Sequence, residues 1–129
     1  MDNRSIQVAR SILAFCWIYH GLVPKILTIA PLEKALTATI GLSDYHSYLV
    51  TKTAGVLEII FGVALFFLYR NRAVHIANIS ALIFLGLYVA IRMPSLLTEA
   101  FNPVTTNLTM IGLSYLLLRS KMFEKKSIR

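Results

Sequence analysis

Two ionisable side chains stand in strongly apolar surroundings, His20 in the stretch QVARSILAFCWIYHGLVPKILTI and Glu58 in YLVTKTAGVLEIIFGVALFFLY. Burying such a group in hydrocarbon costs on the order of 3 kcal/mol or more unless it is paired or wet. Each therefore needs a partner or a task. At about 1.5 Å per residue, His20 lies about 13 Å from the end of its run, and Glu58 about 15 Å from the matching end of an antiparallel neighbour. The depths agree, so the spacing predicts an imidazole–carboxylate contact able to share or exchange a proton. Pro24 cannot donate to the carbonyl of His20, which predicts a bend and an acceptor left beside the ring. Lys25 either snorkels to the interface or points into that opening. Arg92 closes a third apolar run, and Asn102, Pro103, Thr105 and Asn107 open a last one. The free amides of that helix start favour an anion or a carbonyl oxygen, although simple capping accounts for Asn102 equally well. Trp17 and Tyr88 add aromatic surface near the same level. The candidate ligand-binding or proton-handling residues are thus His20, Lys25, Glu58, Arg92, Asn102, Asn107, Trp17 and Tyr88. Pinning one helix to another is the alternative role for His20 and Glu58, and no residue is assigned as catalytic.

The elements that must carry these groups follow from hydropathy. The chain has 129 residues, of which 57% are hydrophobic and only 15% charged. Its mean hydropathy is +0.67. Too few charges exist to cover a soluble core, so apolar side chains must face lipid. Runs over 7–29, 48–69, 73–93 and 104–119 read as bilayer-crossing helices. Between the first two, PLEKALTATIG sets Leu32, Ala35, Leu36, Thr39 and Ile40 at helical spacing, which predicts a short helix lying in the interface. The expected fold is all-α, an integral membrane four-helix bundle forming one domain over 1–129. Lys and Arg total 13 against 6 Asp and Glu. Arg4, Arg10, Arg70, Arg72, Arg119, Lys121, Lys125, Lys126 and Arg129 fall on one side of the spans, which predicts both termini in the cytoplasm. The basic tail reads as a topology determinant and anionic-lipid anchor, and nucleic-acid binding is not expected.

Intrinsic redox chemistry is excluded on composition. Cys16 is the one cysteine, so a dithiol relay or an all-cysteine metal site within one copy is impossible. A bis-histidine haem needs two imidazoles at one depth, and His46 and His75 lie near opposite ends of their spans. No resident cofactor and no metal are expected.

WIYHGLVPK at 17–25, GVLE at 55–58 with Gly62, and FNPVT at 101–105 with Asn107 occur in that order. Together these segments resemble the DoxX-like family of small bacterial membrane proteins. The resemblance implies a four-helix integral bundle in the bacterial cytoplasmic membrane. It also implies an association with redox systems, since the family name comes from a small subunit of a thiosulfate:quinone oxidoreductase. This chain has no dinucleotide fingerprint and no paired thiols, so electrons must come from a soluble or membrane oxidoreductase partner.

Three functions compete at this level. The first is a redox accessory subunit that binds a quinone or another small polar-headed ligand in the outer half of the bundle. The second is a non-catalytic scaffold for a partner complex. The third is a transport or permeation component, completed by homo-oligomerisation.

Overall fold

The computed structural model describes the backbone of residues 1–127 and the side chains of residues 1–120. The side chains of Lys121, Lys125, Lys126 and Arg129, which complete the expected basic anchor, lie outside the described set. Helix α1 covers Asn3–Gly21 and runs directly into a π-helical turn, Leu22–Leu27. Helices α2 (Pro31–Ala38), α3 (Asp44–Phe67) and α4 (Arg72–Arg92) follow. A 3-10 turn, Pro94–Thr98, leads to α5, Pro103–Ser127. Among the described residues there is no strand.

Local chemistry sets most of these boundaries. Asp2 accepts the Ser5 amide at 2.8 Å ahead of α1, and the Asn71 side chain accepts the Ala73 amide at 2.9 Å at the start of α4. Pro94 ends α4 by restricting the residue before it. Asn102 accepts the Thr105 amide at 3.2 Å, with Pro103 in the first turn of α5. The short helix expected after the first span is α2, opened by Pro31, and none of its residues is buried. Gly41 then takes the left-handed conformation, φ 74°, that reverses the chain toward α3.

Among the described residues three helices are long and apolar enough to cross a membrane: Asn3–Leu27, Asp44–Phe67 and Arg72–Arg92. They correspond to the first three expected spans. α5 contains the fourth, but Thr105, Thr106, Asn107, Thr109 and Ser114 dilute its apolar character. In each of the three, only 22% of the most apolar window is buried. Phe15, Phe67, Phe84 and Ile91 are each more than 60% exposed. Side chains of this kind are favourably placed in hydrocarbon and unfavourably in water, at about 25 cal/mol per Å². The chain is a multi-pass membrane protein.

The chain divides into two compact units, one spanning Ala14–Val63 and the other combining Met1–Leu13 with the residues from Ala64 onward. In the second unit α4 and α5 pack against each other. α4 buries His75, Asn78, Leu82 and Val89, while α5 buries Asn107, Met110, Ser114 and Leu117, each set spaced three, four or seven residues apart along one face. The seam is polar where the chain is least exposed. Ser114 Oγ lies 2.6 Å from Asn78 Nδ2 and 3.3 Å from His75 Nδ1, and His75 Nε2 lies 2.8 Å from the Tyr69 carbonyl. A carbonyl only accepts, so Nε2 carries the hydrogen, Nδ1 accepts from the serine hydroxyl, and the serine oxygen accepts from Asn78. Asn107 Nδ2 completes the seam by donating to the Leu82 carbonyl at 3.2 Å.

This unit holds a buried polar cluster that is absent from the candidate residues read from the sequence. His75, Asn78 and Ser114 are 1%, 0% and 0% exposed. Arg10, read from sequence as a charge on the loop side, holds its guanidinium 4.5 Å from the ring centres of both Phe66 and Tyr69. Replacing Ser114 by Ala removes the hydroxyl that joins α5 to two α4 side chains. It is expected to lower stability by about 1–2 kcal/mol, read as the midpoint of unfolding in detergent micelles. A midpoint equal to wild type would contradict the assignment.

Candidate functional site

The Ala14–Val63 unit is built around a close helix crossing. A methyl group added at Gly55 would sit 2.8 Å from both the Gly21 carbonyl oxygen and Lys25 Cβ, and one added at Gly21 would run into the Gly55 carbonyl. At Gly62 it would sit 2.9 Å from the Ala14 carbonyl and 2.8 Å from Ile18 Cγ1. Gly55 and Gly62 therefore form one close-packed face of α3, with Glu58 between them. Trp17, 9% exposed, packs edge-on to Phe61 at 5.1 Å.

The break expected at Pro24 takes the form of the π turn. Proline has no amide hydrogen, and widening the turn reassigns the ladder. Thr28 N now donates to the Val23 carbonyl at 3.2 Å, and Ala30 N to the Pro24 carbonyl at 3.0 Å. Lys52 Nζ satisfies the Ile26 carbonyl at 2.6 Å, fastening the turn to α3.

Within this frame Lys25 points inward. It is 8% exposed, against the alternative of snorkelling. Its Nζ lies 3.0 Å from Glu58 Oε2 and 3.1 Å from Glu33 Oε1, so one ammonium serves two carboxylates, the second supplied by α2. All three side chains are less than one-fifth exposed. The local formal charge with all three ionised is −1, an arrangement that favours holding a proton or a positive group.

The expected contact between His20 and Glu58 does not form. No hydrogen bond or ion pair joins them, and His20 is exposed. The physical reason is angular. Gly21, not His20, lies at the crossing, and Lys25 is one turn beyond Gly21 on the same face, whereas neighbouring positions on a helix diverge by about 100°. His20 is still near enough to Lys25 and Glu33 to feel both charges. Glu33 is the member of the cluster that the sequence reading missed. Its signal was its place in the first turn of an amphipathic helix beside a glycine-lined span, but no spacing rule links residues 25 and 33 across a turn.

The remaining candidates belong to the other unit. Asn102 makes local bonds, donating to the Glu99 carbonyl at 3.0 Å and accepting from Thr105, as a helix cap does. Asn107 ties α5 to α4. Tyr88 is half-buried and Arg92 exposed near the end of α4. Among the described residues no group of three or more His, Cys, Asp and Glu side chains is arranged to hold a metal ion.

Lys25→Met strips the shared cation from two carboxylates and is expected to cost about 3 kcal/mol or more, whereas the double variant Lys25→Met/Glu58→Gln recovers part of that loss. Chemical denaturation of the single and double variants measures the coupling, and strictly additive losses would show that the pair does not interact.

The chain belongs to the DoxX-like family, whose family model matches residues 14–115. No curated protein and no solved structure matches it.

Proposed function

We propose that this member of the DoxX-like family is the membrane accessory subunit of a redox system and that it binds the polar head of a quinone or similar lipophilic ligand at Lys25. In this reading it is a four-helix protein of the bacterial cytoplasmic membrane with both termini inside. The observation that supports the reading is the single ammonium shared by Glu58 and Glu33 inside a membrane-spanning unit. Reducing a quinone to a quinol takes two electrons and two protons. The electrons come from an oxidoreductase partner, since the chain carries no paired thiols. Lys25 donates a hydrogen bond to a ligand carbonyl and stabilises the oxyanion as it develops. Glu58 and Glu33 carry protons to the two oxygens, and the exposed side of the cluster at His20 is the route of resupply. Trp17 packs near the ring.

A second reading is favoured by the same salt bridges. Both close acceptors of Lys25 are internal, so the triad also suits a scaffold whose ions only fix helix register. The two readings part on one pair of measurements. Quinone extracted from protein purified out of native membranes is expected to fall about tenfold in Lys25→Met and Glu58→Gln, the loss of one charged hydrogen bond. His20→Ala should slow turnover of the partner complex with less effect on retention. Retention unchanged in both Lys25→Met and Glu58→Gln, with partner turnover intact in the double variant, would leave the scaffold reading.

A further inference from the structure

A pocket of about 430 Å³ lies within the Ala14–Val63 unit, separate from the Lys25 cluster, and is lined among others by Ile29, Lys34, Leu42, Asp44, Ser47 and Tyr48. Its volume falls in the range of small-molecule sites. Its walls come from the chain after the π turn, from α2 and from the first turns of α3. The α2 wall is tied to the α3 wall through a short hydrogen bond between Thr37 and Ser47. Thr37 also bonds the Glu33 and Lys34 carbonyls at 3.0 Å, so the strand of contacts runs to the backbone that carries Lys34.

The pocket contains one cation and one anion that do not pair with each other. Among the described residues Lys34 and Asp44 form no salt bridge, although both line the same space. Both side chains are exposed at the mouth of that space, and an unpaired cation and anion lining one pocket match a ligand that carries the complementary two charges. Asp44 is the first residue of a helix long and apolar enough to cross a membrane, so the pocket sits where that helix leaves the hydrocarbon. Tyr45 and Tyr48, 68% and 50% exposed, stand at the same level, as aromatic residues do at the lipid head groups.

We propose that this pocket holds the head group of a zwitterionic phospholipid with a primary amine, its phosphate at Lys34 and its ammonium at Asp44. A primary ammonium donates hydrogen bonds to a carboxylate and a quaternary one has none to give, so ethanolamine head groups are preferred over choline. Anionic glycerol head groups lack the positive partner for Asp44 altogether. Lys25, Glu58 and Glu33 take no part, so this assignment stands or falls independently of quinone binding.

The test is native mass spectrometry of the full chain released from micelles containing equal amounts of phosphatidylethanolamine, phosphatidylcholine and phosphatidylglycerol. The wild type is expected to retain phosphatidylethanolamine preferentially. Asp44→Asn, which keeps a residue type suited to a helix start, should cut the ethanolamine-over-glycerol preference about tenfold. Lys34→Gln should lower retention of all three lipids by a similar factor, and Glu99→Gln should change nothing. Circular dichroism of each variant shows whether it is folded. A wild-type protein with no preference among the lipids, or a preference that survives both substitutions in folded protein, overturns the proposal. So does binding of free O-phosphoethanolamine in place of the lipid, which would assign the pocket to a soluble zwitterion.

Discussion

A single ammonium group answers two carboxylates at the α2 end of this chain, and the Ala14–Val63 unit is arranged to make that possible. Lys25 reaches Glu58 because Gly21 and Gly55 let two backbones approach more closely than any side chain would allow. It reaches Glu33 because the π turn at Pro24 leads the chain round into α2. Removing any one of these features leaves a charge with little water to compensate it. The irregular backbone is satisfied in turn by a second lysine, Lys52, on the carbonyl of Ile26.

Among the described residues, polar side chains share the interior with leucines such as Leu13, Leu65 and Leu117, while large apolar side chains face outward. The least exposed residues include Thr51, His75, Asn78 and Ser114, while phenylalanine and isoleucine side chains project outward. Between helices in lipid there is little hydrophobic drive to association, because hydrocarbon solvates an apolar face as well as a neighbouring helix does. Close packing at small residues and hydrogen bonds between polar side chains replace it. The α4–α5 seam uses the second device and the α1–α3 crossing within Ala14–Val63 uses the first.

The two polar centres differ in what they can do. The His75, Asn78 and Ser114 side chains are linked by hydrogen bonds and have almost no exposure. Such a network specifies packing. The Lys25 cluster has a surplus of negative charge and an exposed imidazole beside it. Unequal charge and partial access suit proton or ligand chemistry, and the buried His75, Asn78 and Ser114 cluster lacks the access.

The all-helical class, the approximate limits of the first three spans and the membrane environment were legible in the sequence, because hydropathy over about twenty residues and the chemistry of proline, asparagine and glycine act locally. The glycine face around Glu58 was legible too, as a matter of helical period. The partner of Glu58 was not. Depth along a helix can be counted from the sequence, but the direction in which a side chain points depends on where two helices cross, and here the crossing falls at Gly21 and turns Lys25 rather than His20 toward the acid. Glu33 and the α4–α5 seam escaped for the same reason: each depends on residues distant in the chain meeting at one angle, which only tertiary packing decides.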